Sequence, residues 1–221
     1  MKNRVSIFAV IFLTTVSFYS CKKDKESNST TTVTDIDGNI YNVVKIGNQY
    51  WMKENLKTTR YNDSTPIPNG LSDAAWQSTT SGAYAIYDNN SGNNDVYGKL
   101  YNWHAVNTAK LAPAGWHVPT DAEWTTLVNT LGGGSVAGGA MKGTTTTWWN
   151  SPNTGATNSS GFTGLPAGSR YSNGPFNHIG IIGFFWSSNA SAFILNYDDS
   201  VVDNSNSGLK ENGFSVRCVK D

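Results

Sequence analysis

The chain has 221 residues, a formal net charge of zero and only 14% charged residues, so no basic stripe draws in nucleic acid, which is not an expected partner. Its 8 Trp, 10 Tyr and 9 Phe each bury a large area per residue ordered and predict an aromatic-rich core. Abundant Gly, Asn, Ser and Thr with few long amphipathic stretches predict short strands joined by substantial turns.

Lys2 and Arg4 precede an apolar run from Val5 to Val16. A helix needs roughly 20 apolar residues to cross a bilayer, so this shorter run reads as the core of a signal peptide over residues 1–20. Phe18, Tyr19 and Ser20 place an apolar residue three before Cys21 and a small one directly before it, a pattern that resembles a lipobox and predicts acylation of Cys21. The alternative is an ordinary secretory signal with an incidental cysteine. Lys22 to Glu26 and the Ser/Thr/Asn run Ser27 to Thr34 carry too little apolar surface to fold, so residues 21–34 are expected to form a flexible tether. Residues 35–221 suit one domain. The expected setting is the outer membrane, at the cell surface or facing the periplasm, with the membrane contacted through the lipid. An acylated Cys21 leaves Cys218 without a disulfide partner, so packing must hold the domain together.

The folded part is expected to open at Asp35, with a turn at Asp37-Gly38 and a strand from Ile40 to Ile46. Gly47-Asn48 suits a two-residue hairpin turn, since glycine accepts positive φ, and Gln49 to Met52 return as the partner strand. Ser72 can cap a short helix through Trp76. Thr120-Asp121-Ala122-Glu123 forms a capping box, followed by Trp124, Leu127, Val128 and Leu131 at helical spacing, which predicts a helix over 121–131 ended by Gly132. The glycine-rich stretch Gly132 to Gly143 reads as a mobile loop. Phe214, Val216 and Cys218 share one parity near the end, which predicts a final strand with Cys218 facing inward.

Several segments together resemble one family of exported, often lipid-anchored bacterial modules, the Fibrobacter succinogenes major paralogous domain. They are Tyr97 to Trp103, Leu111 to Trp124, Gly161-Phe162 with Leu165 to Arg170, Phe185 to Ser188, and Gly213 to Val219. The resemblance runs from about Asp35 to the end, and it implies no established activity. More distantly the pattern is similar to the sulfatase-modifying-factor and C-type-lectin-like group, which implies an α+β fold of few helices, small antiparallel sheets and long loops. That likeness does not imply chemistry. Formylglycine-generating members of the group hold copper with a pair of cysteines, whereas Cys218 is the only cysteine in the expected domain.

No catalytic set stands out among the reactive residues. His104, His117 and His178 lack the close spacing of a zinc motif. Cys218, flanked on its parity by Phe214 and Val216, reads as a small apolar core residue. Arg170 and Arg217 suit structural clamps, each with a fork of donors. The loop from Asp88 to Asp95 offers Asp88, Asn90 and Asp95 as oxygen ligands for calcium, and residues 35–39 form a weaker second candidate. Turns use the same residues for their own backbone contacts. No other cofactor is expected. If Trp148-Trp149 is extended, adjacent rings point to opposite faces, so Trp149 beside Asn150, together with Trp76, is taken as a sugar-contacting set. The expected function is therefore a non-catalytic, lipid-anchored extracytoplasmic module with carbohydrate the leading ligand class. The alternatives are an extracytoplasmic enzyme using His117 or Cys218 with Glu123, or a structural or adhesive surface protein meeting another surface protein.

Overall fold

The computed structural model describes residues 32–205 and 209–221. The signal peptide, Cys21 and most of the expected tether lie outside these residues. The fold is α+β, with two five-stranded sheets and a two-stranded ribbon, mostly antiparallel, and five α-helices among the described residues. None of those helices is long and apolar enough to cross a membrane.

The first sheet begins three residues earlier than expected. Strand β1 (Thr32–Thr34) pairs antiparallel with β2 (Ile40–Ile46), because the β-branched Thr-Val-Thr run suits a pleated edge even though its composition matches the tether. Between them Asp35 accepts hydrogen bonds from the amides of Asp37 and Asn39 and from the Tyr41 hydroxyl. The hairpin of β2 with β3 (Gln49–Met52) closes as expected, with Ile46 opposite Gln49 and Gly47 at φ 59°. The next elements are α1 (Asp73–Ser78), capped by the Ser72 hydroxyl, then β4 (Tyr84–Ala85), α2 (Gly92–Tyr97), β5 (Leu100–Tyr101), α3 (Trp103–Val106) and β6 (Trp116–His117).

Helix α4 (Asp121–Thr130) has the full capping box. It ends with the amide of Gly132 on the carbonyl of Asn129 and that of Gly133 on Val128, the double bond of a Schellman motif, for which Gly132 supplies φ 101°. The stretch expected to be a loop is instead helix α5 (Gly134–Met141). A Cβ on Gly138 would lie 2.4 Å from the carbonyl oxygen of Val201, and one on Gly139 would lie 2.4 Å from that of Gly155. These glycines let backbone pack against backbone, so tertiary contact overrides weak helix propensity. Beyond α5, Lys142 is fully buried, with its ammonium donating to the carbonyls of Thr154, Asn196 and Asp199 at 2.6–2.9 Å.

The second sheet is ordered β11-β10-β9-β7-β8, from β7 (Ala167–Arg170), β8 (Phe176–Ile179), β9 (Ile182–Trp186), β10 (Ala192–Asn196) and β11 (Val202–Ser205). Only β7 and β9 within it run parallel. Strand β12 (Val219–Lys220) enters the first sheet between β3 and β6. The residues before it do not form the continuous final strand expected. Phe214 bridges to Tyr101 and Ser215 to Phe185, and the amide of Leu56 donates to Val216. This segment therefore runs between sheets and is buried on both sides, with Ser215 and Arg217 as fully buried as Val216 and Cys218.

Two aromatic clusters fill the interior. One gathers Tyr41, Met52, Tyr101, Trp186, Phe214 and Cys218, and the other gathers Trp51, Trp124, Trp149, Phe162, Phe185 and Phe193.

Candidate functional site

The sugar-contacting set is not assembled. Trp149 is fully buried, with its indole N–H donating to the carbonyl of Gly164 at 3.0 Å and the Lys142 ammonium 5.5 Å from its ring. Trp76 is also fully buried, beneath the Arg170 guanidinium at 4.4 Å. The reason is local: residues 146–149 form a turn and bend rather than an extended segment, so strand parity does not apply. The partly exposed ring of the pair is Trp148, edge-on to Tyr97 at 5.8 Å. Asn150 is exposed, and its amide donates to Gly180.

The expected calcium ligands are dispersed over a 3-10 turn holding Asp88, a capping residue Asn90 and helix α2 holding Asp95. Asn90 Oδ1 accepts from the Gly92 amide, and the Lys99 ammonium sits 2.7 Å from Asn94 Oδ1. The loop's oxygens thus serve its own backbone and a neighbouring cation. In the second stretch, Asp37 accepts from Thr59 and from Arg60 Nε. Burial would raise its carboxyl, but bonds from Thr59 and Arg60 bring it down to about 2. Among the described residues no group of three His, Cys, Asp or Glu is placed to hold a metal ion.

Other reactive side chains are built into the frame. Arg170 donates to the carbonyls of Gly174 and Leu71 and to Asp73. Cys218 is fully buried, and burial pushes its thiol far above the ordinary value. Native protein treated with iodoacetamide is expected to leave Cys218 unmodified, and denatured protein to label it fully, as read by peptide mass spectrometry.

His117 is the exception among the three histidines. His104 lies on α3 near Glu211, and His178 lies on β8 against Tyr171 and Phe184. The His117 ring is held at both nitrogens, Nδ1 by Asp221 at 2.6 Å and Nε2 by Glu123 at 2.7 Å. Glu123 uses its other oxygen to accept from the Thr120 amide and hydroxyl, both at 2.8 Å, so one carboxylate caps α4 and grips the imidazole. Burial pulls His117 down, but its bonds to the Asp221 and Glu123 carboxylates outweigh it and raise the ring above its ordinary value. Burial would raise Glu123, yet the Thr120 and His117 bonds lower it. Two carboxylates share one imidazole, so the cluster is net negative whether or not the ring is protonated.

The sign of each shift fixes a pH window. The His117 contribution is complete below 6.5 and is lost as pH rises through its raised value; that of Glu123 is complete above 4.5 and is lost as pH falls through its lowered one. The stability difference between wild type and His117→Gln is therefore expected to be largest between pH 4.5 and 6.5 and to shrink as pH rises through the raised value of His117. Urea midpoints measured across that range check this.

Beside His117 lies a cavity of about 260 Å³. Val106, Leu111, Ala112 and Val118 form its apolar wall, and Asn107, Thr120, Ser188 and His117 supply polar groups. Three separated segments build it. Asn102 caps α3 with its side-chain oxygen and so sets Val106 and Asn107. The Ser188 amide donates to the Pro119 carbonyl at 2.8 Å, and Ser191 Oγ donates to Asp121 at 2.9 Å, which docks the end of β9 on the start of α4. Sequence reasoning had singled out His117 but not Asn107, Ser188 or the partner Asp221. The signal was present only as the joint appearance of the Leu111 to Trp124 and Phe185 to Ser188 segments, which meet here.

No curated protein and no solved structure matches the chain. A family model described as the Fibrobacter succinogenes major domain matches residues 44–220, a span that holds every residue lining this cavity and, apart from Tyr41, the residues named in both aromatic clusters. The chain belongs to the Fibrobacter succinogenes major domain family.

Proposed function

We propose that this protein is a lipid-anchored, extracytoplasmic binding module of the C-type-lectin-like and sulfatase-modifying-factor-like fold group, without catalysis, and that it takes a neutral sugar ring in the cavity beside His117. Acylation at Cys21, following a signal over residues 1–20, places it at the outer membrane. The observation that carries the ligand assignment is that the cavity is lined by apolar Val106, Leu111, Ala112 and Val118 together with the amide of Asn107 and the hydroxyl of Ser188. A sugar ring likewise combines apolar and polar surface, with CH faces on one side and hydroxyls at the edge. A volume near 260 Å³ falls below the roughly 300–1,000 Å³ of sites that engulf drug-sized ligands, which suits one ring or a chain end. The net negative charge of the Glu123–His117–Asp221 cluster favours a neutral ligand over a carboxylate-bearing one.

The same cluster weighs against the enzyme reading. A general base needs a free nitrogen and a value near the working pH, whereas both His117 nitrogens are engaged and the buried Cys218 thiol is held protonated.

A glycan array probed with the full mature chain tests this. Wild type is expected to retain at least one neutral glycan. Asn107→Trp, which sets a bulky ring at the exposed cavity mouth, is expected to weaken it by about tenfold or more with an unchanged urea midpoint. Absence of binding across neutral glycans, or equal binding by the variant, removes the sugar assignment.

A further inference from the structure

At the β2–β3 turn end of the first sheet, a row of alternating cations and aromatic rings crosses four strands, on the face that farther along buries Tyr41 and Met52. Lys45 on β2 lies directly opposite Tyr50 on β3, with its ammonium 5.6 Å from the Tyr50 ring centre. Lys220 on β12 approaches the same ring at 5.7 Å and lies opposite Trp116 on β6. Lys45, Tyr50 and Lys220 are exposed, and Trp116 is partly buried, with one side packed against the first aromatic cluster. Asp221, next to Lys220 in sequence, is engaged by His117, and among the described residues neither Lys45 nor Lys220 forms an ion pair with a carboxylate.

The direction of the chain gives this row an orientation. Strand β1 is antiparallel to β2, with Thr32 opposite Asn42 and Thr34 opposite Ile40. The polypeptide therefore enters β1 from the side of the β2–β3 turn, the end of the sheet that bears Lys45 and Tyr50. Lys45 stands three residues beyond the level of Thr32, about 10 Å along the strand direction. The chain between Cys21 and Thr32 spans no more than about 40 Å even when fully extended.

We propose that the row Lys45, Tyr50, Lys220 and Trp116 is the face the protein turns to its own membrane, with the lysines on anionic lipid phosphates and the rings at headgroup depth. Lysines near a negatively charged leaflet are drawn to it, and Tyr and Trp favour the interface, where an apolar body and a polar tip are both accommodated. This rests on the acylation of Cys21. The consequence is geometric: a short tether and a headgroup contact at the same end of the sheet fix the domain's orientation, so the cavity beside His117 is presented at a constant height and angle.

The test is lysine acetylation footprinting of the full mature chain isolated from cells, with intact mass reporting separately whether Cys21 is acylated. The chain is placed in phosphatidylcholine vesicles with and without phosphatidylglycerol. Acetylation of Lys45 and Lys220 is expected to slow several-fold on the anionic vesicles and to recover in high salt, while Lys110 reacts equally on both. Lys220→Glu is expected to reduce the protection of Lys45 without altering the tryptophan emission of the fold. Equal reactivity of Lys45 and Lys220 on the two vesicle types in the acylated chain overturns the proposal. So does stronger protection by polygalacturonate than by vesicles, which assigns the row to an anionic polysaccharide. If the mass shows Cys21 unmodified, the anchor reading fails alone. Vesicles added to the free chain then decide the headgroup face, with salt-sensitive protection supporting it and no protection overturning it.

Discussion

Replacing Arg217 by alanine is expected to cost about 3–5 kcal/mol of folding stability, a large share of an ordinary reserve of about 5–15 kcal/mol. Arg217 is fully buried. Its Nε donates to Asn55 Oδ1 at 2.8 Å, Nη1 to the carbonyls of Met52 and Phe162, and Nη2 to the carbonyl of Thr163 at 2.9 Å. The guanidinium lies 4.4 Å from the Phe162 ring centre and 5.7 Å from that of Phe185. Burial pulls it down to about 9, still above neutral pH, so it remains charged and is held by neutral acceptors. Truncation leaves those acceptors buried and unpaired, at about 1–3 kcal/mol each when none relaxes, and opens a void beside two aromatic rings. Lysine keeps the charge but loses the fork that reaches four acceptors, so Arg217→Lys is expected to recover less than half of the loss. Urea denaturation followed by fluorescence gives both values. A loss under about 1 kcal/mol for the alanine variant contradicts the clamp.

The second large effect is expected at Trp124, where alanine should cost about 3–5 kcal/mol. Its ring stacks on Phe193 at 4.9 Å and 13°, meets Trp51 at 4.9 Å, and contacts Phe162 and Phe185 at 5.9 and 5.8 Å. It is the hub that joins α4 to both sheets, since Trp51 belongs to the first and Phe185 and Phe193 to the second. Near-UV circular dichroism should lose most of its signal, while Trp124→Phe keeps part of the stacking and part of the stability. Arg217 and Trp124 both touch Phe162. Their double variant is therefore expected to lose less than the sum of the single losses. Additive losses would mean that the clamp and the cluster act independently.

What could be read from the sequence was local. The hairpin turn at Gly47, the capping box at Thr120 and Glu123, and the Ser72 cap each depend on residues within four positions of one another, and each formed where expected. The inward side chain of Cys218 followed from parity, although its neighbours Ser215 and Arg217 are buried as well because the segment runs between two sheets. What escaped depends on partners far along the chain. Helix α5 forms where six of its flanking and internal residues are glycine only because the backbone near Ser200 and Gly155 fits against it. Trp149 turned inward because the carbonyl of Gly164 and the ammonium of Lys142 receive it. At the site, His117 and Glu123 were visible as neighbours, whereas Asp221 is 104 positions away from the ring it holds. Asn107 and Ser188 reach the cavity from separate elements, with no spacing rule to join them.

The most direct test of the binding account is methyl-resolved NMR of the full mature chain titrated with neutral oligosaccharides. The account predicts that the methyl signals of Val106, Leu111, Ala112 and Val118 shift together and saturably, and that Asn107→Trp abolishes the shifts. Saturable shifts confined to other surfaces, such as the Tyr171 and His178 face, or none at all with any neutral sugar, would contradict it.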